Sequence, residues 1–154
     1  MPKVGVQIAS TVTELPEGKT IRRWVRTALR DRKKQADLTI RITDMDEARQ
    51  LNKRWRGSNE ATNVLSFPAL SPGEIEPHKQ PYLGDIVICA PVVCAEARQQ
   101  GKELQAHFAH IVIHGVLHLL GYDHIEPKMA ADMENLEIRI LSAIGVSNPY
   151  IIEE

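Results

Sequence analysis

Three histidines, His114, His118 and His124, stand at spacings of four and then six in the stretch HGVLHLLGYDH. Residues four apart on a helix share a face, so His114 and His118 can both reach one metal ion at about 2.0–2.1 Å. Gly121 can adopt positive φ and end the helix after Leu120, which turns the chain back and delivers His124 from a loop as a third ligand. Three protein nitrogens leave a coordination position open, the signature of a catalytic rather than a structural zinc site, so the expected cofactor is one Zn2+ ion. Lone histidines on an apolar helix are more often satisfied core residues, and a pair four apart is a weak signal. The full spacing H-x3-H-x2-G-x2-H is far rarer and favours a metal. His107 and His110 extend the same face one and two turns upstream and are assigned to structural or ligand-orienting hydrogen bonds.

The metzincin frame reads H-E-x-x-H on its helix and uses that glutamate as general base; here Gly115 occupies the position. A bound zinc lowers the pKa of its water from 15.7 toward about 7, so hydroxide is available at neutral pH without a strong protein base. The missing glutamate therefore counts against peptide hydrolysis but not against hydrolysis as such.

Metal spacing without the base resembles the YbeY-type endoribonucleases, the rRNA maturation factors, whose motif HGxLHLxGYDH is matched at every fixed position from His114 to His124. The resemblance extends to Arg56-Gly57, to Thr62-Asn63-Val64-Leu65-Ser66-Phe67-Pro68 and to Leu83-Gly84-Asp85-Ile86, and so spans most of the chain. It implies a metal-dependent, single-strand endoribonuclease acting in ribosomal RNA processing (16S rRNA maturation) and in ribosome quality control. The implied partners are an RNA substrate, ribosomal RNA first, and ribosomal proteins or ribosome-associated factors. Phosphodiester cleavage needs charge stabilised on the phosphate oxygens, and arginine's planar fork suits that task. Composition selects no arginine; the resemblance points to Arg56 as the catalytic one. Its structural alternative is a cap on the carbonyls of a helix C-terminus. Asp85 and Asp123 are candidates for carboxylates that orient ligand imidazoles, and Asp123 suits an Asx-type turn equally well. Two further functions stand beside the nuclease: a zinc peptidase of unusual type, opposed by Gly115, and a non-catalytic ribosome-binding factor with a structural metal, opposed by the open coordination position.

The elements that must position these residues follow from periodicity. With 154 residues, 43% hydrophobic and 25% charged, the chain fits one domain over residues 1–154 with a single core. It has no basic, apolar leader and no apolar run approaching 18 residues, so a soluble, cytoplasmic protein without membrane association is expected. Cys89 and Cys94 are too few for a disulfide framework and are expected to pack. Net charge is −1 but uneven: residues 1–60 hold 14 Lys and Arg against 8 Asp and Glu, residues 61–154 only 5 against 12. A basic half could steer a polyanion, or be an ordinary solvated helix surface.

Strands are expected at Val4–Ala9, Leu38–Ile42, Asn63–Phe67 (stopped by Pro68) and Tyr82–Ala90, with 68–81 an exposed loop. Helices are expected over Lys19–Lys34, basic and amphipathic; from Asp44 to Trp55; from Pro91 to Gly101; over 103–120; and from Pro127 to Gly145. In the second helix Asp44 and Glu47 form a capping-box-like start, and Ala48, Leu51 and Trp55 a buried stripe. This order predicts an α+β domain: a small mixed, mostly parallel sheet of about four strands packed by helices, with a metzincin-like metal helix at the core.

Overall fold

The computed structural model describes residues 2–30, 32, 36–69, 82–123 and 125–151. The chain runs β1 (Val4–Ile8), α1 (Gly18–Leu29), β2 (Asp37–Thr43), α2 (Met45–Arg56), β3 (Val64–Pro68), β4 (Tyr82–Cys89), α3 (Ala90–Gln100), α4 (Leu104–Leu119) and α5 (Pro127–Ala143). The sheet order is β1-β2-β4-β3, parallel at β1/β2 and β2/β4 and antiparallel at β3/β4. This is the expected mixed sheet in an α+β domain. The expected ends of α1 (Lys33, Lys34) and most of the 68–81 segment fall outside the described residues.

Alternation along the strands gives the sheet two unlike faces. Leu38, Ile40, Ile42, Ile86 and Ile88 are buried and join Ile21, Val25 and Leu29 of α1 and Phe108, Val112 and Val116 of α4 in one core. On the opposite face Thr39, Arg41, Asp85 and Val87 line an open groove under α2. β3 is an edge strand, which is why Pro68 can be its last residue: it pairs with Gly84 where a missing N–H breaks no inner ladder.

Two expectations about α2 need correction. The Asp44 carboxylate does not cap the helix. It accepts from Ser10 Oγ, from the Thr11 backbone N–H at 3.0 Å and from Thr11 Oγ1 at 2.9 Å, fastening the segment after β1, and these bonds lower its pKa. Glu47 is drawn instead into a bidentate pair with Arg41, at 2.6 and 2.8 Å. Trp55 is not in a buried stripe: the buried residues of α2 are Ala48 and Asn52, while Trp55 is 61% exposed because the groove, and no apolar layer, lies beneath it.

Candidate active site

Helix α4 buries ten of its sixteen residues, including Phe108, Ile113 and Leu117, so the histidines on its remaining face are held by a rigid core element. It ends as expected. Gly121 at φ 103° donates to the His118 carbonyl at 3.0 Å and Tyr122 to Leu117 at 3.1 Å, the paired bonds of a Schellman motif. Gly115 lies where α4 packs on the sheet, against Ile86 of β4. A Cβ built there would lie 3.0 Å from Ile86 Cγ2 and 3.2 Å from Ile86 Cδ1, so a side chain at the position that carries glutamate in zinc peptidases would press on Ile86, which must shift by a few tenths of an ångström.

His114 and His118 share a face with their Nε2 atoms 3.1 Å apart. The third expected ligand, His124, lies outside the described residues. The Nδ1 of His114 is 2.8 Å from Glu137 Oε1, and the Nε2 of His110 is 2.6 Å from Glu137 Oε2. Tyr150 donates its hydroxyl to the same carboxylate. Glu137 is fully buried. Burial alone would raise its pKa, but the hydrogen bonds from His110, His114 and Tyr150 outweigh that and hold it at about 2, so it is a carboxylate anion. Burial and the neighbouring carboxylate push the Tyr150 phenol well above its ordinary value, keeping it a donor. His110, His114 and Glu137 bring ligand-type atoms within 4.8 Å of one another, a group able to take part in a metal site.

Glu137 and Tyr150 were missed by sequence reasoning. Glu137 had a readable signal: it sits four residues after Met133 and three before Ile140, inside the apolar stripe of α5, where a lone carboxylate must be paired. Tyr150 lies beyond the last helix and had none.

The remaining expected residues fall in separate places. His107 is buried, 3.0 Å from Glu96, which also accepts from Asn63 at 3.2 Å, and burial lowers its pKa. His110 contacts Glu137 and so belongs to the network around His114. Asp123 forms the Asx-type turn, accepting from the Ile125 N–H at 3.0 Å. Asp85 lies in the groove on the far face of the sheet, hydrogen bonded to Tyr82 rather than to the described histidines. Arg56 also lines that groove. Its Nη2 donates to the Ser66 carbonyl at 2.7 Å, and its guanidinium carbon is 5.9 Å from the Phe67 ring centroid. The link to the histidine helix runs through β3, where Ser66 Oγ donates to the Gly115 carbonyl at 3.2 Å.

A buried histidine helix, tied to a buried carboxylate and laid on a mixed four-stranded sheet, defines an α+β domain with a metal-competent centre. Comparison with known proteins agrees. The family model for Endoribonuclease YbeY matches residues 7–145. Proteins named Endoribonuclease YbeY from Xanthomonas campestris pv. campestris strains B100 and 8004 are each 51% identical over 148 residues, covering 96% of this chain and 92% of theirs. The chain belongs to the Endoribonuclease YbeY family. The solution structure of a Thermotoga maritima protein shares the fold, with a TM-score of 0.59 at 21% identity, covering 95% of this chain and 99% of that one. Among the described residues no helix is long and apolar enough to cross a membrane.

Proposed function

We propose that this chain is a metal-dependent endoribonuclease that cuts single-stranded RNA in ribosomal RNA processing, including 16S rRNA maturation, and in ribosome quality control. One zinc ion is held by His114, His118 and His124, and Arg56 binds the scissile phosphate. Residues 1–154 act as one nuclease domain in the cytoplasm, with ribosomal RNA as substrate and ribosomal proteins or ribosome-associated factors as partners.

The observation that carries the metal assignment is the pairing of two contacts on His114. Its Nδ1 is engaged by Glu137, which fixes the tautomer with the proton on Nδ1 and turns Nε2 toward His118 Nε2, 3.1 Å away. Two nitrogens bound tetrahedrally at about 2.0–2.1 Å would stand about 3.3 Å apart, close to the separation found. Glu137, accepting from two imidazoles and a phenol, fits a carboxylate that orients ligands better than one that is itself a ligand, because three of its roughly four acceptor sites are already taken.

An ion so held would supply a Lewis acid and a nucleophilic hydroxide at neutral pH. The chain's own residues then have two tasks. Glu137 and Tyr150 hold His114 in one orientation, and Arg56 offers a fork of donors to a phosphate at the rim of β3. The peptidase alternative is opposed by Gly115 itself, which offers no base where zinc peptidases carry glutamate, and a side chain there would press on Ile86.

The test is to incubate purified, nuclease-free protein with labelled single-stranded RNA and with casein, each with and without chelator. Chelator-sensitive cleavage of RNA alone is expected. Chelator-sensitive proteolysis would install the peptidase, and cleavage of neither would favour a binding factor. For Arg56, removing one preorganised donor typically costs about 2.7–4 kcal/mol, so Arg56→Ala should cut RNA about a hundred-fold more slowly with metal content and melting temperature preserved. Arg56→Lys should rescue poorly, since an ammonium lacks the fork. Wild-type cleavage by Arg56→Ala would reduce Arg56 to a cap on the Ser66 carbonyl.

A further inference from the structure

The groove under α2 has a volume of about 1100 Å³ and lies on the sheet face turned away from the histidine helix. Its composition is unusual for the open face of a sheet. Trp55 is 61% exposed at the end of α2, Tyr82 is 43% exposed at the start of β4, and Phe67 of β3 lines the same wall. Cations stand by the rings. The guanidinium carbon of Arg54 is 5.2 Å from the Trp55 centroid and that of Arg56 is 5.9 Å from the Phe67 centroid. The last turn of α2 is basic, with Lys53, Arg54 and Arg56. Tyr82 is fixed by hydrogen bonds to Thr39, at 2.6 Å, and to Asp85, so the floor also carries polar groups on an internal strand.

Exposed aromatic rings beside arginines on a sheet face form a stacking platform for unpaired nucleobases, with cations placed for the connecting phosphates. Asp85 adds an acceptor for the amino and imino edges of a base and would repel a phosphate, so bases and not backbone should face the sheet. The ordinary alternative, scattered surface apolar residues, does not account for cations at two of the three rings.

We propose that this groove is a second RNA subsite, in which unpaired nucleotides flanking the scissile bond stack on Trp55 and its neighbouring rings. This rests on the endoribonuclease reading above and extends it to a site on the other face of the sheet. The two faces meet at β3, an edge strand, where Ser66 touches Arg56 through its carbonyl and the histidine helix through its hydroxyl. A strand of RNA running from one site to the other can pass over that edge. Stacking on these rings needs unpaired bases, so the groove selects single strands.

The chain contains its own probe. It has two tryptophans, Trp24, 4% exposed in the core, and Trp55 in the groove. Titrating the full-length protein with a single-stranded RNA oligonucleotide should quench the Trp55 emission and leave that of Trp24, isolated in Trp55→Phe, unchanged. A duplex of the same sequence should quench neither. Trp55→Leu should weaken binding and raise KM roughly 5- to 150-fold, the range for losing one base–aromatic stack, with a smaller effect on kcat. Trp55→Phe should restore most of the affinity. Photo-cross-linking of thiouridine-containing RNA to the wild-type chain should label the peptide containing Trp55, which checks the site without any substitution. If wild-type protein cuts RNA while Trp55→Leu binds it as tightly, or cross-links fall outside the groove, the subsite is wrong and the nuclease reading stands. If the wild type neither binds nor cuts RNA, both fall.

Discussion

Replacing Glu137 by glutamine tests the structural core of the metal assignment. The carboxylate is fully buried, 2.8 Å from His114 Nδ1 and 2.6 Å from His110 Nε2, and it also takes the Tyr150 hydroxyl. Glutamine has the same shape but only one oxygen, so its amide would turn an N–H toward one imidazole N–H. Two costs follow. One buried donor loses its acceptor, worth about 1–3 kcal/mol of stability, and at roughly 2–4 °C per kcal/mol the melting temperature should drop measurably. If His114 is a metal ligand as proposed, the bond that orients it is weakened, and the loss of such a bond typically lowers metal affinity 10- to 100-fold, or about 1.4–2.7 kcal/mol.

The assay is zinc affinity by chelator competition beside melting temperatures with and without metal. Ligand binding stabilises the native state by RT ln(1 + [L]/Kd), so the rise in melting temperature on adding zinc should shrink in Glu137→Gln relative to wild type. A folded Glu137→Gln with wild-type affinity would refute the orienting role and leave the carboxylate as a structural anion only. Complete loss of metal there, with retention in His118→Ala, would make His110, His114 and Glu137 the ligand set instead.

Two more substitutions bear on the same helix. His118→Ala should remain folded, since the side chain is only half-buried, but lose stoichiometric metal on elemental analysis. Stoichiometric metal in that folded variant would remove His118 from the site. Gly115→Glu, which restores the peptidase motif in sequence, should yield no casein cleavage and cost about 1–3 kcal/mol in chemical denaturation, because its Cβ would press on Ile86. A stable variant with protease activity would show that this space opens.

Much of this molecule was legible because its signals are local. Alternating Leu and Ile in β2 and the apolar run Ile86-Val87-Ile88-Cys89-Ala90 announced strands, and the glycines after α2, α3 and α4 adopt the positive φ their helix ends require. The histidine spacing identified a shared face, and two of its three members fall within the described residues and meet. What stayed hidden depends on which elements touch. Asp44 offers an oxygen to whichever donors arrive first, and the fold brings Ser10 and Thr11, 34 and 33 residues earlier in the chain, not the first turn of α2. Trp55 has helical spacing with Ala48 and Asn52, but spacing says only that residues share a face, not that the partner surface extends far enough to cover it. Glu137 was overlooked for the converse reason: a charged residue is assumed exposed unless its partners, here on α4 and at Tyr150, are already in view.

Gly84 offers a test of whether β3 couples the groove to the histidine helix. Its φ is 145°, a conformation that side chains rarely adopt, at a register shift where β2 passes from pairing with Tyr82 to pairing with Gly84. A Cβ there would collide with the Phe67 carbonyl and lie 2.9 Å from Leu119 Cδ2 and 3.0 Å from Pro68 Cα. The neighbours on one side belong to β3 and on the other to the last turn of α4, one residue past His118. Adding one methyl group must therefore push the edge strand and the histidine helix apart. Strain of about 1–3 kcal/mol from the backbone and a similar amount from overpacking should make Gly84→Ala less stable by at least about 2 kcal/mol. Because β3 carries the Ser66 contacts to both Arg56 and Gly115, the same displacement disturbs Arg56 and the histidine helix together. Zinc affinity and RNA cleavage should then both fall in protein that is still folded below its lowered melting temperature. If Gly84→Ala loses stability alone, with metal affinity and cleavage unchanged, β3 can shift without moving either site and the coupling through Ser66 is refuted.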